Sequence, residues 1–330
     1  MTPLLEVKNL NKTFVSTTGF TGGKKRYLQA VNDLSFTIYE GETLGLVGES
    51  GCGKSTTGKL ILRLLEADSG EVLFRGTNLL QLTASRMRSL RREMQMIFQD
   101  PFSSLNPRMR VGDTLSEPFK IHKKLSATEI QTELKTLLEV VGLAPEHLNR
   151  YPHEFSGGQR QRIGIARSLA VRPSLIIADE PVSALDVSIQ AQIINLMQDI
   201  QEEFGLTYLF IAHDLAVVQH ICDRVAVMYL GRIVEIGPAD TIYRRPRHPY
   251  TEALLNAVPV PIPGRPARTL LQGEVPSPIN PPSGCPFHPR CSYAKAICKT
   301  TLPSLEQQGD RHESACHFAQ ELDLTRPQHF

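Results

Sequence analysis

The run Gly48-Glu49-Ser50-Gly51-Cys52-Gly53-Lys54-Ser55-Thr56 limits the possible folds of this 330-residue chain more than any other feature. It fits the pattern G-x-x-x-x-G-K-[ST] and directly follows Thr43-Leu44-Gly45-Leu46-Val47, a short apolar run suited to a buried parallel strand. Strand, glycine-rich loop and helix in that order make a phosphate-binding loop. Glycines let backbone N–H groups curl around phosphate oxygens, and the following helix points its positive end at them. Lys54 is placed to reach the β- and γ-phosphates as a point charge, and Ser55 to offer a hydroxyl to Mg²⁺. The backbone of Gly48, Ser50, Gly51, Cys52 and Gly53, with Thr56 behind, forms the expected cradle. Cys52 stands at a variable position and is read as a spectator.

A second apolar run, Leu175-Ile176-Ile177-Ala178, ends in Asp179-Glu180. Carboxylates at the end of a buried strand sit where α/β proteins bind ligands. Asp179 can hold the metal through water and Glu180 can polarise an attacking water. Around these runs the pattern alternates. Leu4 to Val15 and Ala30 to Ile38 read as strands, with residues 16–27 as an exposed loop between them. Ser126-Ala127-Thr128-Glu129 is a capping-box pattern, and Ile130, Leu134, Leu137, Leu138 and Val141 follow at helical spacing up to Gly142. Ile189, Ile193, Leu196, Ile200 and Phe204 mark another amphipathic helix before a strand at Leu206 to Ala212. Such alternation predicts an α/β fold with a mixed or largely parallel core sheet.

The order of further motifs narrows this. Phe155-Ser156-Gly157-Gly158-Gln159-Arg160-Gln161-Arg162, about twenty residues before Asp179, resembles the signature of ATP-binding-cassette ATPases. Ser183-Ala184-Leu185-Asp186 resembles their D-loop, Gln99 their Q-loop glutamine, and His213 their switch histidine. The usual first signature residue is Leu; here Phe155 is an equivalent apolar anchor. The resemblance implies a P-loop NTPase cassette binding ATP and Mg²⁺. Ser55, Gln99 and Asp179 attend the metal, Glu180 is the general base, and His213 contacts the γ-phosphate. It also implies head-to-tail pairing of two cassettes, so that Ser156, Gly157, Gly158, Gln159 and Asp186 serve a nucleotide shared with the opposite subunit. An aromatic should stack on adenine; Phe14 is preferred over Tyr27.

Three segments resemble the ATPases of oligopeptide, dipeptide and nickel importers: Gln99 to Arg108, Arg150 to Phe155, and Arg247-His248-Pro249-Tyr250-Thr251. They imply a cassette over 1–257, with a helical subdomain at about 99–170, a proline-rich linker at 258–266 and a C-terminal extension at 267–330. The implied role is energy coupling for uptake of di- or oligopeptides, with nickel, glutathione or opine-like cargo as the alternative. A cassette ATPase of translation or DNA repair is a further reading, disfavoured because tandem cassettes and long coiled-coil insertions are absent. The implied partners are two membrane permease subunits, a second related ATPase forming a heterodimer, and indirectly an external substrate-binding protein. The expected place is the cytoplasmic face of the inner or plasma membrane.

Composition agrees with these expectations. With 36 basic and 34 acidic side chains, nothing favours nucleic acid as a partner. No stretch reaches the about 18 apolar residues of a spanning helix, and Met1 to Asn11 has no apolar core of the secretory kind. Of six cysteines, Cys285, Cys291, Cys298 and Cys316 crowd the extension, with gaps of five, six and seventeen residues. Four thiolates can bind a [4Fe–4S] cluster or tetrahedral Zn²⁺. No pair has the short spacing usual for zinc, the resemblance points to the cluster, and plain reduced cysteines are the remaining alternative.

Overall fold

The computed structural model describes residues 2–17, 25–100, 104–122, 125–257 and 273–324. The expected linker at 258–266 lies outside them. Its strands in chain order are β1 (Pro3–Thr17), β2 (Lys25–Tyr39), β3 (Thr43–Val47) and β4 (Ser69–Phe74). They continue with β5 (Thr77–Asn78), β6 (Met94–Ile97), β7 (Leu175–Asp179) and β8 (Thr207–Ala212). The last four are β9 (Arg224–Tyr229), β10 (Arg232–Pro238), β11 (Glu306–Gly309) and β12 (His312–Ser314). Two compact units divide the chain. One holds residues 39–43 and 81–211, the other 3–38, 44–80 and 212–330.

In the first unit β6, β7 and β8 lie side by side and parallel, with Met94 opposite Leu175 and Leu175 opposite Thr207. Every residue of β7 and β8 is buried, as apolar runs without alternation require. Helices Val111–His122, Ala127–Val140, Gly157–Leu169 and Val187–Phe204 surround the unit's core. The expected capping box is present: Ser126 Oγ accepts from Glu129 N–H, and the Glu129 carboxylate accepts from Ser126 N–H at 2.7 Å. That helix ends at Val140, just before Gly142.

The second unit carries two sheets. One runs β2-β1-β4-β5; in the other, β3 pairs in parallel with β9 and the order continues antiparallel through β10, β12 and β11. Here the expected loop at 16–27 needs correction at both ends, and Ser16 and Thr17 belong to β1. Lys25, Arg26 and Tyr27 belong to β2 and not to a loop; basic, exposed residues extend a strand wherever a neighbour supplies its hydrogen bonds. The extension does more than hang behind the cassette segment, because its hairpin β11–β12 joins the sheet at β10. Behind that joint lies Glu235, fully buried. Its carboxylate accepts from the backbone N–H of Arg247 at 2.7 Å and of His248 at 3.0 Å, and faces His312 Nε2 at 2.7 Å.

Candidate functional site

The glycine-rich run forms the turn its composition demands. β3 ends at Val47, and Gly53 starts the helix Lys54–Ile61 in a left-handed conformation (φ 110°). A Cβ at Gly53 would run into the Ala30 carbonyl oxygen, so only glycine fits. No side chain caps this helix, which leaves its first N–H groups facing the loop, as an anion site requires. Lys54 is buried, and its Nζ donates to the carbonyls of Gly48 at 2.7 Å and Glu49 at 3.0 Å. A bound phosphate would take over those donors. Ser55 and Thr56 are half-exposed on the first turn. Cys52 is buried beside Lys54, and burial raises its thiol pKa, consistent with a spectator. His213 follows β8 and is exposed, just before Asp214 caps the next helix. Phe14 is 38 % exposed, with Lys12 Nζ 5.7 Å from its ring centroid.

The first unit brings together Gln99 and Glu180. Gln99 Nε2 donates to Glu180 Oε2 at 2.9 Å, across 81 residues of sequence. Asp179 is buried at the end of β7, whereas Glu180 takes a left-handed backbone (φ 47°) anchored by its N–H to the Ile211 carbonyl at 2.9 Å. A non-glycine residue there costs of order 1–3 kcal/mol, a strain found where a side chain must be aimed. The carboxylate is thus turned away from the buried strand and held by an amide that can release it.

Ser156 caps the helix Gly157–Leu169 and forms a second capping box with Gln159. Gln159 Oε1 accepts from Ser156 N–H at 3.0 Å, and Ser156 Oγ accepts from Gln159 N–H at 3.3 Å. The S-x-x-Q spacing announces this box, and the sequence reading missed it. Gly158 cannot be larger, since a Cβ would stand 2.5 Å from Ile189 Cγ2. Arg160, largely buried, donates to the Pro152 carbonyl at 2.7 Å and fixes the chain entering the motif. Asp186 stands at the N-cap position of the helix Val187–Phe204 without a side-chain capping bond, and Gln190 Nε2 pins the preceding turn by bonds to Val182 and Leu185 carbonyls at 3.1 and 3.0 Å.

Comparison with known proteins decides the family. Residues 31–183 match the family described as ABC transporter, and residues 234–298 match the oligopeptide/dipeptide transporter C-terminal region. The oligopeptide transport ATP-binding protein AppF of Bacillus subtilis is 52 % identical over 96 % of this chain and 97 % of its own length. The "Probable peptide ABC transporter ATP-binding protein y4tS" of Sinorhizobium fredii is 54 % identical over 95 % of this chain and 89 % of its own. The chain belongs to the ATP-binding proteins of ABC transporters, in the oligopeptide/dipeptide group. Among solved structures, the dimeric ATP-binding cassette MJ0796 bound to ADP and Pi has a TM-score of 0.63 and 28 % identity, covering 71 % of this chain and 98 % of that one. The structure of cbiO1 from Clostridium perfringens, described as part of the ABC transporter complex cbiONQ, gives 0.63 and 29 %, covering 74 % of this chain and 91 % of that one. The protein is therefore a cassette ATPase with the P-loop NTPase fold. No helix among the described residues is long and apolar enough to cross a membrane.

In this ATPase the second matched region includes His248-Pro249-Tyr250, which is buried at the start of the helix Pro249–Ala257. Burial holds the His248 imidazole down, to about 3, so it stays neutral. The four extension cysteines line one cavity with His248 and Phe287. Burial, and secondarily the neighbouring thiols, push Cys291 up to about 12, and burial drives Cys316 to about 11 and raises Cys285. Such thiols stay protonated unless a cation compensates their charge. Among the described residues no three or more His, Cys, Asp or Glu are placed to hold a single metal ion.

Proposed function

We propose that this ATPase couples ATP hydrolysis to the uptake of di- or oligopeptides through two membrane permease subunits, paired with a second, related ATPase. An external binding protein delivers the cargo. The observation that carries the mechanism is the Gln99–Glu180 hydrogen bond. Glutamine holds the carboxylate while the site is open. When the amide turns toward the γ-phosphate of bound ATP, Glu180 is released to accept a proton from the attacking water. Lys54 and the loop N–H groups take up charge developing on the phosphate oxygens, and His213 steadies the γ-phosphate. Ser55 and Asp179 would hold Mg²⁺, which would neutralise charge on the phosphate oxygens. Ser156, Gly157, Gly158 and Asp186 complete the opposite subunit's site, and Phe14 supports adenine. The cassette at 1–257, its helical part at about 99–170 and the extension at 267–330 are the corresponding working divisions, with the permeases docking on the helical part.

The extension is read as holding a [4Fe–4S] cluster on Cys285, Cys291, Cys298 and Cys316, in preference to zinc. Cys285, Cys291, Cys298 and Cys316 line one cavity, and four thiolates are the ligand set such a cluster takes. The cluster would fasten together a segment too small to make its own core.

One preparation tests both readings. The tagged chain is purified from gently solubilised membranes without air, its partners are identified, and iron, sulfide and zinc are measured. Two multi-spanning proteins and a second cassette ATPase are expected, with iron and sulfide near four per chain, the stoichiometry of one cubane (about four each). Recovery with soluble partners alone contradicts the importer reading. Zinc in place of iron, or neither, contradicts the cluster.

A further inference from the structure

Glu49, at a variable position of the phosphate loop, is held at every polar group. Its backbone N–H donates to Tyr250 Oη at 2.9 Å, and its carbonyl accepts from Lys54 Nζ at 3.0 Å. Its carboxylate accepts both terminal nitrogens of Arg290, at 2.7 and 3.0 Å. The Arg290 side chain is 4 % exposed and that of Glu49 25 %, so this bidentate pair is partly shielded from the water that weakens surface ion pairs. Tyr250 is fully buried and packs with Tyr229 and Phe287, at centroid distances of 4.6 and 5.3 Å. Both anchors lie about 200 or more residues further along the chain, Tyr250 at a separation of 201 and Arg290 at 241.

The pattern G-x-x-x-x-G-K-[ST] asks for no anchor at its second position. A loop rich in glycine pays more entropy than most when it is ordered around a ligand. We propose that Arg290 and Tyr250 are positioning residues for the phosphate loop. They fix Glu49 from its side chain and its N–H, so that the loop is curved for phosphate before ATP arrives. The C-terminal extension is thereby a structural part of the nucleotide site. The inference rests on Lys54 and its loop binding ATP.

Charge distinguishes this from simple electrostatics. If only charge near the phosphates mattered, Arg290→Ala would weaken ATP binding and Glu49→Ala would strengthen it, since one removes a cation and the other an anion. A positioning latch is broken from either side, so both variants weaken it. The experiment is fluorescent ATP-analogue titration of the full chain, with the thermal midpoint recorded for each variant and kcat measured in the assembled complex. Arg290→Ala and Glu49→Ala should each weaken binding roughly tenfold, and the double variant should be no worse than either. Arg290→Lys should recover part of the loss, because an ammonium cannot span both oxygens. Tyr250→Phe, which removes one oxygen and keeps the ring, should weaken binding roughly threefold with kcat held within about twofold. Opposite shifts in Arg290→Ala and Glu49→Ala overturn the proposal. So does unchanged affinity in Tyr250→Phe together with a folded, unaffected Arg290→Lys. Lys54→Ala serves as the control: if it binds the analogue like wild type, the reading of the loop itself has failed, not the latch alone.

Discussion

Glu180→Gln should leave ATP binding intact and lower the hydrolysis rate by about 10²–10⁴-fold, the range expected when a general base is lost. The substitution is nearly isosteric, so the left-handed backbone at 180 and its N–H bond to Ile211 are kept. A glutamine oxygen at this position can still accept from Gln99 Nε2, now 2.9 Å from the carboxylate. What disappears is basicity, and with it the route for the water's proton. On the proposed mechanism nucleotide enters, the paired cassettes close, and the closed state accumulates because its exit is the hydrolysis step. Single-turnover hydrolysis and size-exclusion chromatography in ATP check this together. Near-normal turnover would remove Glu180 from the role of base; lost ATP binding would show that the substitution had damaged the fold instead.

The second large effect is on stability. Glu235→Leu should destabilise the protein by about 3–5 kcal/mol, the cost of breaking a buried polar network from one side. Glu235 is fully buried and serves three partners: two backbone N–H groups that begin the Arg247–Tyr250 segment, and His312 of the extension's hairpin. Leucine answers none of them, and each orphaned donor carries its own desolvation penalty. Ser314 Oγ, which donates to the Arg247 carbonyl at 3.0 Å, ties the same corner and cannot replace the carboxylate. Denaturant unfolding followed by tryptic cleavage tests the assignment. The account predicts early cleavage between β10 and β12, and Glu235→Gln should lose less than Glu235→Leu because an amide oxygen still accepts.

Comparing these sites shows what can be read from residues alone. The phosphate loop, β7 and the helices at 127–140 and 187–204 are legible because their information is local. Periodicity, a capping residue and a glycine stop all fall within one window of chain. The Ser156–Gln159 box is equally local, since its S-x-x-Q spacing falls within one turn. Gln99 and Glu180 could each be placed by motif, yet their hydrogen bond spans 81 residues and follows from β6 lying beside β7. The roles of Glu235, Tyr250 and Arg290 were not legible at all. A glutamate in the middle of β10 looks like any solvent-facing strand residue until the extension covers it. Arg290 looks like a solvated charge until the chain brings it back to Glu49. Lys25 to Tyr27 erred the other way: their polarity suggested a loop, although strand pairing needs only backbone.

Peptide uptake tests the central claim most directly. Cells lacking this chain would be supplied with either the wild-type protein or Glu180→Gln, and accumulation of a labelled di- or tripeptide would be followed over time. The account predicts that wild type restores uptake and that Glu180→Gln, made in equal amount, does not. Uptake restored equally by both, or by neither while ATP hydrolysis by the wild-type chain proceeds normally, would contradict it.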